Sequence, residues 1–174
     1  MLQAATEYKS ESSSAILLEI EKAFGGHVPN VFRAYAEHPS LLAVNWQKYK
    51  VLMLSGKLRR KVKEAIAVVI SHDNNCKYCV VAHSAALRSM KVSEAEITAM
   101  LQDIYPDDFT DKEAALIKFA RKANQDWHSI GSNDLKELVD LGIEESEMLE
   151  AMGTMELFIA FNRFADVMGV EIDF

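Results

Sequence analysis

Apolar residues recur along this chain at intervals of three and four, the spacing that gathers side chains on one helix face. No stretch keeps the two-residue period of a half-buried strand. Ile16, Leu17, Ile20 and Phe24 form a stripe over Ala15 to Phe24, stopped by Gly25-Gly26. After a loop at His27-Val28-Pro29, Asn30 is placed to cap a short helix carrying Val31, Phe32 and Tyr35. Pro39-Ser40 opens a longer one with Leu41, Leu42, Val44, Tyr49, Leu52 and Met53 largely on one side, and Ser55-Gly56 ends it. From Ala65 to Ile70 the chain is apolar nearly all round. Val and Ile favour strands, but the preceding KLRRKVKEA is helix-forming and no hairpin signal follows, so a central, buried helix over about Leu58 to Ser71 is expected. The polar turn His72-Asp73-Asn74-Asn75 offers side chains to cap the next helix, Cys76 to about Met90.

Capping boxes at Ser93-Glu96 and Thr110-Glu113 open two more helices, the first carrying Ile97, Met100, Leu101 and Ile104, the second Leu116, Ile117, Phe119 and Ala120. A short helix ends at Gly142. A long one, about Glu145 to Met168, presents Met148, Leu149, Met152, Phe158, Phe161 and Phe164 as core or subunit interface. The fold class is all-α, with a polar arm over 1–14 and a single helical domain over 15–174.

Composition narrows the function. The 174 residues are 49% hydrophobic with only 7 Gly and 3 Pro, enough to bury a core without staples. A net charge of −7 argues against a nucleic-acid surface, and the basic run Lys57 to Lys63 reads as a solvated first turn. No apolar segment reaches the roughly 20 residues that span a bilayer, and the first residues do not resemble a secretion signal, so a soluble cytoplasmic protein is expected.

In a reducing compartment a lone cysteine pair is more often catalytic or metal-binding than a permanent staple. Cys76 and Cys79, three apart, share a helix face with His83, four residues further on. A helix N-terminus at Cys76 favours thiolate, and C-x-x-C spacing closes to a disulfide with little backbone movement. Glu64, alone beside the AIAVVI run, either sits at an exposed helix end or is buried and needs a partner, for which His83 is the candidate. A Glu–His–Cys chain is a general acid–base relay. Tyr78 and His72 flank the thiols and are candidates for shaping substrate access. The competing readings are zinc held by His72, Cys76, Cys79 and His83, and two cysteines buried as small hydrophobes. Local physics leaves the nucleophile open: the helix dipole and expected exposure favour Cys76, and proximity to His83 favours Cys79.

The pattern Glu-x11-Cys-x2-Cys-x3-His, with NCKYCVVAH locally, VPNVFRAYAEHPSLL upstream and FNRFADVMG at the end, resembles the AhpD-like alkylhydroperoxidases of the carboxymuconolactone decarboxylase superfamily, in the peroxidase-related branch. The resemblance implies an AhpD-like helical bundle with the CxxC motif at the N-terminus of a central helix. It also implies homo-oligomers (trimer, hexamer or dimer) and a cofactor-free thiol peroxidase without a metal. Cys79 would be the peroxidatic thiol, Cys76 the resolving one, and His83 with Glu64 the relay. The partners implied are a hydroperoxide substrate and an external dithiol reductant, of lipoyl type in the family's manner. One departure stands out: Tyr78 occupies the position where the best-known members carry a second histidine. It keeps in play a general thiol–disulfide oxidoreductase or redox sensor, and more distantly a zinc-stabilised interaction module.

Overall fold

The structure, a computed structural model, describes residues 13–174. The arm expected over 1–14 lies outside them up to position 12, and its last two residues, Ser13 and Ser14, already belong to the first helix. The described residues are all-α, without a strand, and group into two compact units divided between Lys48 and Tyr49.

In the first unit, α1 (Ser13–Ala23), α2 (Asn30–Ala34), a 3-10 turn (Tyr35–Glu37) and most of α3 (Pro39–Tyr49) bury Ile16, Ile20, Phe32, Leu42 and Trp46. The Phe32 and Trp46 rings meet edge-on at 5.5 Å, and Phe24 lies 6.1 Å from Phe32. Asn30 does not cap α2. The chain enters the helix one residue earlier, through Pro29, whose fixed φ suits the entry.

The second unit begins at Tyr49, passes through a π-helical turn (Lys50–Leu54), and continues as α4 (Arg60–Asp73), α5 (Lys77–Ser89), α6 (Glu94–Met100), α7 (Asp111–Asp126), α8 (Ser132–Asp140) and α9 (Glu145–Val167). The helix apolar on all sides, α4, is its centre: every residue from Val62 to Ser71 is buried, and α5, α7 and α9 pack around it. The reading of the basic run as a solvated turn is corrected at two positions. Lys57, Arg59 and Lys61 do pair with surface acids, but Arg60 and Lys63 turn inward, because each has a shielded carboxylate to meet. Lys63, 1% exposed, pairs with Glu150 of α9 and donates to the Ser55 carbonyl. Glu150 also accepts the Lys57 backbone N–H at 2.8 Å. It lies directly on Gly56, whose φ of +98° and missing Cβ make room for that carboxylate.

The join between α4 and α5 is as short as a helix–helix link can be. Asn75 adopts the left-handed conformation (φ +61°), so that its N–H reaches the His72 carbonyl at 3.0 Å and the Cys76 N–H reaches the Ser71 carbonyl at 2.9 Å, the paired bonds of a Schellman closure. Cys76, the last residue of that closure, is also the N-cap position of α5. The expectation that the Asp and Asn side chains of this turn cap α5 is not met, because they are committed sideways. Arg121 of α7 grips Asp73 with two bonds at 2.6 and 2.7 Å, and Gln125 adds a third at 2.8 Å.

Both expected capping boxes are present, at Ser93 with Glu96 and Thr110 with Glu113. The helix after Ser93 stops at Met100, where Asp103 turns left-handed, and Ile104 is therefore exposed rather than part of the stripe. Leu149, expected on the apolar face of α9, is exposed as well. Among the described residues no helix is long and apolar enough to cross a membrane.

Removing the Glu150 carboxylate strands the Lys63 ammonium in the interior. Glu150→Ala is expected to lower unfolding free energy by about 3–5 kcal/mol, and the pair replacement Lys63→Met with Glu150→Leu by much less. Urea titration of the three proteins measures both.

Candidate active site

Glu64 resolves to the buried alternative. It is 0% exposed, on the second turn of α4, and both carboxylate oxygens are taken. Oε1 accepts from Arg60 Nε at 2.5 Å, one turn back on the same helix. Oε2 accepts from His83 Nδ1 at 2.6 Å, across the α4–α5 contact. Arg60 is itself fixed by the Tyr49 hydroxyl and the Met53 carbonyl, each at 3.0 Å, so the π-helical turn positions the guanidinium that positions the carboxylate. Burial pushes the Glu64 carboxyl up, but the charges and hydrogen bonds of His83 and Arg60 outweigh it and hold the group below its usual value. Tyr49, buried and facing the Glu64 charge, is pushed well above the ordinary phenol range and stays a donor.

His83 is almost enclosed, its ring edge-on to Phe158 of α9 at 4.3 Å. With Nδ1–H committed to Glu64, Nε2 is the ring nitrogen left to exchange a proton with another group. Because Cys79 precedes His83 by four residues on α5, the two occupy the same face.

The cysteines are free thiols and both are enclosed, Cys76 at 0% and Cys79 at 2% exposed. The expected exposure of Cys76 is thus corrected. A residue serving as both the end of one helix closure and the start of the next helix sits in the crease between them. The protonation of the two thiols is linked. The neighbouring Cys79 lowers the Cys76 pKa against the effect of burial, with the nearby Asp166 carboxylate of α9 also opposing. Cys79 is pushed strongly up, by Cys76 and by burial. In the resting dithiol the proton therefore stays on Cys79, and Cys76 is the more acidic sulfur. Asn162 and Ser71 bear on the Cys79 pKa in the other direction, and less strongly.

Tyr78 is buried, its ring against Phe174 at 5.8 Å, so the chain's last residue lies beside the motif. His72 is placed elsewhere. Its side chain is half exposed and its Nδ1 lies 3.4 Å from Asp73 Oδ1. With His72 turned away and His83 bound to Glu64, the four residues of the zinc reading do not converge. Among the described residues no cluster of three or more His, Cys, Asp or Glu is placed to hold a metal ion.

Sequence reasoning brought together Glu64, Cys76, Cys79, His83 and Tyr78. It missed Arg60, Tyr49, Ser71, Asn162 and Asp166. Arg60 carried one usable signal, its i,i+4 spacing to a carboxylate facing an apolar run; Ser71 lies inside the motif stretch without a distinguishing mark, and Tyr49, Asn162 and Asp166 come from other segments.

Residues 39–122, which contain the whole motif, match the model of the carboxymuconolactone decarboxylase family. The chain also superposes on a crystal structure described as an alkylhydroperoxidase AhpD core, a peroxidase-related protein from Ralstonia eutropha JMP134. The TM-score is 0.79 and the identity 26%, over 99% of this chain and 94% of the other. A peroxidase-related protein from Silicibacter sp. TM1040 gives a TM-score of 0.83 at 26% identity, over 99% and 91% of the two chains. Over residues 39–122 the chain matches the carboxymuconolactone decarboxylase family, and over nearly its whole length it has the AhpD-like fold. The debrominase Bmp8 shares this fold, with a TM-score of 0.76 at 20% identity over 97% of this chain and 89% of its own. No curated protein matches the sequence closely enough to count as a relative.

Because the Glu64 carboxyl is lowered in the folded state, its contribution to stability is complete above the unfolded value of about 4.3 and is lost as pH falls through the folded value. Glu64→Gln should therefore be less stable than wild type near neutrality, and the gap should shrink toward about pH 3. Unfolding free energies across that range test the sign.

Proposed function

We propose that this protein is a cofactor-free dithiol peroxidase that reduces hydroperoxides by cycling Cys76 and Cys79 between dithiol and disulfide. The observation that carries the proposal is the enclosed Glu64–His83 hydrogen bond on the same α5 face as the cysteine pair. A carboxylate held ionised against burial orients an imidazole one helical turn from a thiol, which is the arrangement general-base activation of a sulfur requires.

The cycle begins when Cys79 gives its proton to His83 Nε2. The Cys79 thiolate attacks the terminal peroxide oxygen; the O–O bond breaks, sulfur becomes a sulfenic acid, and the alkoxide leaves as alcohol with the proton returned from His83. The Cys76 thiolate, already the more acidic sulfur, then attacks Cys79. An S–S bond forms and the hydroxyl departs as water. A partner dithiol, of lipoyl type by family likeness, reduces the disulfide and carries the two electrons. Such a cycle suits a reducing cytoplasm. Exposed apolar side chains on α8 and α9, among them Val139, Leu149 and Val167, support a homo-oligomer.

A second reading has one observation in its favour. An acidic Cys76 beside a protonated Cys79 is also the polarity of a thiol–disulfide oxidoreductase, and Tyr78 supplies no second histidine. Turnover of a protein disulfide faster than that of cumene hydroperoxide would favour it.

Titrating the reduced protein with cumene hydroperoxide should consume two thiols per peroxide. Cys79→Ser should abolish consumption, and Cys76→Ser should leave a sulfenic acid that dimedone traps. His83→Asn and Glu64→Gln should slow the first step by about 100-fold or more. Consumption by Cys79→Ser at the wild-type rate would overturn the assignment.

A further inference from the structure

Glu64 is held by two partners of different kinds. Its Oε1 accepts from Arg60 Nε at 2.5 Å and its Oε2 from His83 Nδ1 at 2.6 Å. A guanidinium keeps its charge at any working pH, whereas an imidazole is the side chain that titrates near neutrality. All three guanidinium nitrogens are engaged, since Nη1 donates to the Met53 carbonyl and Nη2 to the Tyr49 hydroxyl, each at 3.0 Å. The cation is thus fixed in place. It still keeps 32% of its side chain in solvent while the carboxylate keeps none, so its own desolvation costs less.

That asymmetry bears on where the relay's proton rests. With an imidazole as its sole partner, an enclosed carboxylate would draw a proton onto the ring and keep it there, because an unbalanced buried charge is costly. An imidazolium has no acceptor nitrogen left for the Cys79 proton. With Arg60 in place the carboxylate is balanced while the ring is neutral. Transfer from Cys79 then leaves thiolate, imidazolium, carboxylate and guanidinium, charges that alternate in sign and sum to zero.

The groups on the packed elements leave this balance to Arg60. On α4, Lys63 turns to Glu150. Tyr49, pushed well above the ordinary phenol range by burial and by the Glu64 charge, adds none of its own. From α9 the ring meets uncharged Phe158 at 4.3 Å, and Asp166 bears on Cys76. From α6, Glu94 pairs with Arg88 of α5 at 2.9 Å. On α5 itself the titratable neighbours are the two thiols.

We propose that Arg60 is a positioning residue whose fixed charge, set against Glu64, leaves the His83 imidazole free to take the Cys79 proton and give it back. The proposal rests on His83 being the base of the peroxidase reading. It gives the π-helical turn a part in the chemistry, since Tyr49 and Met53 hold the cation that balances the relay.

Proton NMR of the reduced full-length protein reads the ring directly, its signal identified among the five histidines by its loss in His83→Asn. In Arg60→Met the ring should titrate about one unit higher in pH than in wild type, a tenfold change in the ratio of charged to neutral imidazole. Arg60→Lys, which keeps the charge and loses the fork, should restore most of the wild-type curve. The acid limb of peroxide consumption should move with the ring, leaving Arg60→Met slow near neutrality and recovering as pH rises. A merely structural Arg60 would lower the melting temperature and leave the ring titration where it was. An unshifted or lowered ring titration in folded Arg60→Met overturns the proposal, as does an Arg60→Lys curve that matches Arg60→Met. Should circular dichroism show Arg60→Met unfolded, Arg60→Gln, which offers Glu64 a donor without charge, decides in its place. The titration needs no peroxide, so a shifted ring in a protein that consumes none keeps the role of Arg60 and removes the peroxidase reading.

Discussion

A carboxylate with no access to solvent must either take up a proton or be met by positive charge and hydrogen bonds. Glu64 is met on both oxygens, and much of the second unit is arranged to do so. Arg60 reaches it from one turn back, and the π-helical turn exists where Tyr49 and the Met53 carbonyl must converge on Arg60. A regular α-helical register there would carry Met53 to a different azimuth, since the wider turn changes which carbonyl faces inward. The other oxygen takes the imidazole of α5, so the electrostatic need of one helix sets the placement of its neighbour's proton-accepting group.

The dithiol depends on that arrangement less directly. Two sulfurs enclosed together cannot both ionise, and the pair shares its remaining proton unequally: Cys79 holds it and Cys76 benefits. A fixed polarity at rest is compatible with chemistry at Cys79 only if other groups reverse it at the moment of reaction. In the proposed cycle His83 Nε2 is the place for that proton, on the same face of α5 as Cys79. The Asp166 carboxylate opposes thiolate at Cys76, against the stronger downward pull of Cys79.

Much of this was legible in the sequence where signals are local. The all-round apolar run at Ala65–Ile70, the capping boxes at Ser93 and Thr110, and the spacing of Glu64, Cys76, Cys79 and His83 each encode their outcome within a few turns of chain. What could not be read depends on where distant segments meet. Lys63 looked solvated because its partner Glu150 is far along the chain, and Cys76 looked exposed because the side chains that enclose the crease are not its sequence neighbours. Asn74 looked like a cap, which is what asparagine does in isolation, yet it faces Asn124 and Asn162. Tyr78 read as an access residue and is packed against Phe174 at the chain's far end.

The closure at Asn75 and Cys76 has a bearing on how this motif tolerates change. Each helical residue advances the azimuth by about 100°, and α4 passes into α5 with no slack between its last hydrogen bonds and the next helix's first. Inserting or deleting one residue in that link would swing α5 about its own axis by more than a quarter turn and carry the His83 imidazole off the Glu64 carboxylate. The intervals between the four motif residues are therefore angular quantities as much as sequence ones. Side chains within them can change without moving α5, while the count between Glu64 and His83 stays under mechanical constraint.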